Sequence, residues 1–111
     1  PAIGTAHGLY KGVPNVEFDL LRTITDRVEC PTVVHGGTGL SDEAFRRCIE
    51  NGAAKINIST ALKVAWCQNQ LHYLQDHADE NDPLKSDAVA MNAVADIAIR
   101  HMRLFGCKGK S

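Results

Sequence analysis

Aromatic side chains make up only 5% of this chain, with a single tryptophan. Neither sign of charge prevails: 12 Lys and Arg stand against 13 Asp and Glu, for a formal net charge of -1. That balance leaves no electrostatic footprint for nucleic acid or for an anionic membrane surface. The basic residues near the end, Arg100, Arg103, Lys108 and Lys110, read as a favourable helix C-terminus and a solvated tail. No apolar run approaches the ~20 residues needed to span a bilayer. The N-terminus also lacks the charged and apolar regions of a signal peptide. The four cysteines, Cys30, Cys48, Cys67 and Cys107, nowhere have C-x-x-C spacing, so neither a zinc knuckle nor a thioredoxin-like pair is indicated. They read as free thiols of a reducing, cytoplasmic compartment, with Cys48 and Cys67 as small hydrophobes on helix faces.

The 44% of residues that are hydrophobic fall into alternating strand-like and helix-like stretches. Pro1 to His7 predicts a first strand with Ile3, Thr5 and His7 on one face. Opening at Pro1 inside that strand, without a methionine, the chain reads as a cut or processed product. Gly8, Gly12 and Pro14 mark a loop, and residues 16–28 place Phe18, Leu21, Ile24 and Val28 at helical spacing. Thr32 to His35 predicts the second strand. Ser41 then serves as an N-cap for a helix whose buried stripe is Ala44, Phe45, Cys48 and Ile49, with Asn51-Gly52 as its stop. Ala53 to Ile58 predicts the third strand, with Ala54, Ile56 and Ile58 on one face and Lys55, Asn57 and Ser59 on the other. Helices follow over residues 60–77 and 86–105, the last carrying Ala90, Val94, Ile97, Ala98, His101, Leu104 and Phe105 on one side.

Strands alternating with amphipathic helices imply parallel strands joined by right-handed crossovers, hence an α/β fold. Each strand closes on a polar cluster: Gly4-Thr5-Ala6-His7-Gly8, then His35-Gly36-Gly37-Thr38-Gly39, then Asn57-Ile58-Ser59-Thr60. In a parallel α/β fold that rim is where active sites are built. His7 and His35 end strands and share a face with inward neighbours. Imidazole is a natural zinc ligand, and a catalytic zinc takes three protein ligands, of which this chain offers two. His72, His77 and His101 read as ordinary surface or core residues. Gly36 to Gly39 lets backbone amides approach an anion closely, ahead of the positive end of the helix that follows Ser41. Asn57 either bonds to neighbouring strands or faces a ligand, because an unsatisfied inward amide would be costly. Lys55 is the alternative nucleophile, through a Schiff base, but paired histidines belong to a metal-dependent strategy.

These clusters, in this order and over Pro1 to Ser111, resemble the C-terminal part of the class II, zinc-dependent ketose-bisphosphate aldolases of the fructose- and tagatose-1,6-bisphosphate type. The resemblance implies a fold: the last three βα units plus a C-terminal helix of a (β/α)8 TIM barrel. A whole barrel takes about 250 residues, so residues 1–111 are expected to be the C-terminal part of one domain, with five N-terminal βα units absent. It implies Zn²⁺ held by His7, His35 and a third histidine from the absent part, with a monovalent cation as a further candidate cofactor. It implies that Gly8, Gly36, Gly37, Thr38, Asn57, Ile58, Ser59 and Thr60 hold dihydroxyacetone phosphate. Such barrels commonly bind phosphate after strands seven and eight. Asn57 would also act on the substrate hydroxyl and enediolate, as a catalytic residue. The family usually has serine where this chain has Thr38. At Ser59 the fructose enzymes tend to have aspartate and the tagatose enzymes alanine, which leaves the aldehyde partner undetermined. The family's acid/base carboxylates lie upstream, and none here matches them.

The activity so implied is reversible cleavage of a ketose 1,6-bisphosphate to dihydroxyacetone phosphate and an aldehyde phosphate. Residues 1–111 alone are expected to be inactive, and to form a homo-oligomer or associate with the absent N-terminal part. Two other readings stand beside it. One is a non-catalytic phosphate-binding accessory subunit; the other is a related sugar-phosphate aldolase with a different aldehyde substrate.

Overall fold

In the computed structural model, which describes residues 1–110, six elements follow one another. They are α1 (Phe18–Arg27), β1 (Thr32–Val34), α2 (Asp42–Glu50), β2 (Ala53–Ile56), α3 (Thr60–Asp76) and α4 (Pro83–Leu104). β1 and β2 pair in parallel, Thr32 opposite Ala53 and Val34 opposite Ile56, with an irregularity after Thr32. The parallel βαβ unit expected from the sequence is therefore present around α2. No helix of the described residues is long and apolar enough to cross a membrane.

Local chemistry sets the helix ends. The Ser41 hydroxyl accepts the Ala44 N–H at 3.1 Å, and Asp42 and Glu43 occupy the first turn of α2, where the helix dipole favours anions. That helix stops at Asn51, and Gly52 takes a left-handed φ of 95° with the Thr25 hydroxyl close behind it. α4 starts three residues earlier than the sequence pattern suggests. The Asp82 carboxylate accepts the Leu84 N–H at 3.0 Å, and Pro83 sits in the first turn, where its missing N–H costs nothing. Glu80 reinforces this start by accepting from Lys85 at 2.7 Å and from the Asp82 amide at 3.0 Å. Those bonds, the Lys85 one first, hold its carboxyl below the usual range.

Ile3, Leu21, Val34, Phe45 and Cys48 are fully buried, joining the N-terminal segment, α1, β1 and α2 in one core. Leu104 and Phe105 close it from the end of α4. Burial pushes the Cys48 thiol up, which keeps it protonated and unreactive.

Three expectations are corrected. Pro1 to His7 forms no strand. Gly4 takes φ 87° and breaks the pleat, and the Ile3 carbonyl accepts the Glu17 N–H at 2.9 Å instead of a ladder bond. Ile3 is buried while His7 is exposed, so the two do not share a face. Cys67 is exposed on α3, whose apolar residues are spread around its circumference and none of which is buried. In β2 it is Ala53 that is buried and Ala54 that is exposed, because the register slips after Thr32, which pairs with Ala53 while Val33 pairs with Lys55, and such an irregularity interrupts the alternation of faces.

The Cα radius of gyration is 17.1 Å, against about 13 Å for a compact domain of this length. α3 and α4 pack chiefly on each other and extend from the two-stranded sheet as a hairpin. Leu71, Leu74, Met91, Ile99 and Met102 are exposed along it. The described residues thus form an open wedge, not a closed body.

Candidate active site

The polar clusters meet at the C-terminal ends of β1 and β2. The Asn57 N–H donates to the Val34 carbonyl at 2.9 Å, carrying the ladder one step past β2 and setting Asn57 beside His35. Its side-chain nitrogen lies 3.3 Å from His35 Nε2, a distance at which the amide donates to an unprotonated imidazole nitrogen. The His7 and His35 rings stand edge to face with centroids 5.4 Å apart, at 64°.

Glycine is required where the two segments cross. Gly36 has φ 75°, and a Cβ there would sit 2.4 Å from the Ala6 carbonyl oxygen. The chain before His7 and the chain after His35 therefore touch backbone to backbone, which only a residue without a side chain permits. Gly37 is also tight, with Phe45 and the Asn57 carbonyl near its absent Cβ. Thr38 is buried, and its hydroxyl accepts the Ala61 N–H at 3.1 Å. It thereby caps α3 from outside, in place of Ser59, whose side chain makes no capping bond. The Thr38 hydroxyl proton stays free to donate elsewhere.

His7, Gly8, Gly36, Gly37, Thr38, Asn57, Ser59 and Thr60 line one concavity of about 10 Å³. Most of the residues singled out from the sequence are thus brought together, His35 joining through Asn57. Ile58 differs: its side chain packs against the core, and it does not line this concavity. The described residues supply one wall of a cleft too small by itself to enclose a sugar phosphate.

The spacing of the two imidazole rings is compatible with a shared metal ion. Two rings bound to one tetrahedral zinc through ~2.0–2.1 Å bonds have centroids about 5 Å apart, close to the 5.4 Å observed. Among the described residues no third His, Cys, Asp or Glu joins them. The other histidines are engaged elsewhere. His101 Nδ1 donates to the Ile97 carbonyl at 2.8 Å and the ring meets Phe45 edge-on. His77 stacks on Tyr73 at 4.2 Å, and His72 is exposed on α3. Lys55 is exposed and borders a separate cavity of about 300 Å³ with Ile49 and Phe105, so it does not reach this corner as a Schiff-base nucleophile would have to.

Sequence reading missed Tyr10. Its hydroxyl accepts the Ala6 N–H and donates to the Gly36 carbonyl, both at 2.8 Å. A tyrosine in a glycine-flanked loop gives no periodic signal, so only the folded geometry exposes this clamp.

Parallel strands, crossover helices and a polar rim of this composition form the C-terminal portion of a (β/α)8 barrel. The chain belongs to the class-II fructose-bisphosphate aldolase family, which it matches over residues 1–110. It is 38% identical over 108 residues to the D-tagatose-1,6-bisphosphate aldolase subunit GatY of Klebsiella oxytoca, covering 97% of this chain and 38% of that relative. Among solved structures it is similar to the YdjI aldolase of Escherichia coli K12, with a TM-score of 0.78 and 32% identity, over 98% of this chain and 39% of that one. A putative fructose-1,6-bisphosphate aldolase of Coccidioides immitis superposes with a TM-score of 0.82 at 25% identity, over 99% and 38% respectively. The chain therefore spans about two-fifths of the length of the relatives it matches.

Proposed function

We propose that residues 1–111 carry one wall of the active site of a zinc-dependent aldolase that reversibly cleaves a ketose 1,6-bisphosphate to dihydroxyacetone phosphate and an aldehyde phosphate. The observation that carries this reading is the convergence of His7, His35, Asn57 and the Gly36–Thr38 turn in one corner, with the two imidazoles 5.4 Å apart. The K. oxytoca relative bears the tagatose name and the C. immitis structure the fructose name, so the substrate is proposed at the level common to both. The open wedge and the exposed apolar residues of α3 and α4 support a single barrel domain whose first five βα units lie outside this chain. They also support either intimate association with those units or a homo-oligomer. Free thiols at all four cysteines support a reducing, cytoplasmic location.

His7 and His35 would hold Zn²⁺, with a third ligand from outside this chain. A zinc ion bound there supplies Lewis-acid polarisation of the ketose carbonyl. Asn57 orients the His35 ring and offers an amide to the substrate hydroxyl beside it. Backbone groups of Gly8, Gly36, Gly37 and Ile58, the Thr38 hydroxyl, Ser59 and Thr60 would receive the phosphate at the positive end of the 17-residue α3. Anchoring the phosphate fixes the reacting carbons, an orientation effect that contributes substantially to rate. Among the described residues no carboxylate lines this corner, and proton transfer is assigned in this reading to groups that the absent βα units would supply. The monovalent cation is proposed as a partner of the same phosphate.

Complementation tests this reading directly. Residues 1–111 by themselves should bind zinc weakly and cleave no ketose bisphosphate. Joined to or mixed with the five preceding βα units, they should give cleavage that a chelator abolishes. A compact monomer of residues 1–111 with full aldolase activity would overturn the proposal.

Phosphate recognition gives a second check. Thr38→Val removes a hydrogen bond to a charged group, worth roughly 1.5–3 kcal/mol, so the ketose phosphate should bind about tenfold to hundredfold more weakly. It also strips the Ala61 amide of its partner, so some loss of stability should accompany it. Thr38→Ser keeps the hydroxyl and should restore both. Unchanged substrate dependence in Thr38→Val would reduce Gly36–Gly39 to a connector.

A further inference from the structure

We propose that Tyr10 is a positioning residue, whose hydroxyl ties the segment carrying His7 to the turn that follows His35. The inference rests on the zinc reading above and adds to it the group that fixes the distance between the two imidazoles. Ala6 immediately precedes His7, and Gly36 immediately follows His35. One hydroxyl satisfies both, accepting the Ala6 N–H at 2.8 Å and donating to the Gly36 carbonyl at 2.8 Å. Both capacities of the phenol are used in one line between the two candidate ligands.

The His7 segment has little else to hold it. It forms no strand. Among the described residues, the Tyr10–Gly36 bond is the one hydrogen bond joining residues 5–10 to the rest of the chain. The surrounding loop is loose, with Leu9 70% and Val13 98% exposed, whereas Tyr10 is half-buried. Its ring lies against the far side of the same turn, where a Cβ on Gly39 would come within 2.9 Å of ring carbon Cδ2. The phenol is thus packed along one edge of its ring and bonded at its tip, the arrangement of a fixed strut. Groups that orient metal ligands from outside the coordination sphere are typically worth roughly tenfold to hundredfold in metal affinity.

The test is zinc affinity, measured by chelator competition on the protein as its gene encodes it, together with the melting temperature of the metal-free form. Tyr10→Phe keeps the ring and removes only the hydroxyl. It should weaken zinc binding about tenfold, the lower end of that range, while the metal-free protein stays folded. Tyr73→Phe, which removes the hydroxyl lying 3.4 Å from Glu80 on the α3–α4 hairpin, should leave zinc affinity unchanged. A Tyr10→Phe protein with wild-type zinc affinity overturns the inference, whether or not its melting temperature falls, because a merely structural tyrosine would move only the latter. Wild-type protein that bound no zinc would overturn the zinc reading and this inference together, whereas wild-type binding with an unaltered variant removes the inference alone.

Discussion

Replacing either His7 or His35 by alanine should strip zinc from the protein and nearly abolish ketose-bisphosphate cleavage. The two rings stand 5.4 Å apart at the ends of neighbouring segments, and removing one leaves a single imidazole where a catalytic zinc takes three protein ligands. The affinity loss should exceed the roughly tenfold to hundredfold that outer partners are worth. Carbonyl polarisation by a metal contributes several kcal/mol to the transition state, and each ~1.4 kcal/mol is a factor of ten. Cleavage should therefore fall by about a thousandfold or more. His101→Ala provides the contrast. That ring bonds to the Ile97 carbonyl and packs on Phe45 and Phe105, so its loss should lower stability and leave zinc content intact. Equal zinc content and turnover in the wild type and both His7 and His35 variants would remove the metal assignment.

The difference between these histidines was partly legible before any coordinates. His7 and His35 end apolar runs and abut glycines, whereas His101 falls on a helical apolar stripe. The stripe of α4 and the Ser41 cap of α2 were legible for the same reason, because periodicity and capping are local; the stripe of α2 holds at Phe45 and Cys48 but not at Ile49, which is exposed. The first strand was not. Its alternation suggested a ladder, but a ladder needs a partner strand beside it, and Gly4 gives the backbone an alternative that delivers Ile3 to the core and the Ile3 carbonyl to Glu17. Cys67 misled for a related reason. α3 meets the rest of the chain mainly through α4, so an apolar position on it is not thereby a buried one. Thr38 was identified as a hydroxyl facing an anion, but the bond it makes to the Ala61 amide joins residues far apart in sequence and has no local signature. Tyr10 is the extreme case, since both of its bonds are meaningful only once residues 6 and 36 are known to cross.

That crossing yields the second large effect, at Gly36. Gly36→Ala should destabilise the protein by roughly 2–4 kcal/mol, since the residue sits at φ 75°, where a side chain is strained, and since overpacking adds to that strain. The atoms in the way are the Ala6 carbonyl oxygen, carbonyl carbon and amide nitrogen, at 2.4, 2.6 and 2.8 Å. All three are backbone, so no rotamer change relieves the clash and the His7 segment itself has to move. Zinc affinity should consequently fall along with stability, even though no ligand has been altered. Gly37→Ala calibrates the effect. Its φ is not in the left-handed region, and its neighbours, a Phe45 ring carbon at 3.2 Å and the Asn57 carbonyl oxygen and an Ile56 methyl at 3.3 Å, need to yield only a few tenths of an ångström, so its cost should be about 1 kcal/mol, the low end for overpacking. Gly8→Ala separates strain from contact: Gly8 has φ 103° but nothing within 4 Å of its absent Cβ. It should therefore cost about 1–2 kcal/mol, the strain alone. Thermal melts of the three variants, each followed by zinc titration, read out the ranking. Gly36→Ala matching Gly8→Ala in both measurements would mean that the Ala6–Gly36 contact does not set the position of His7.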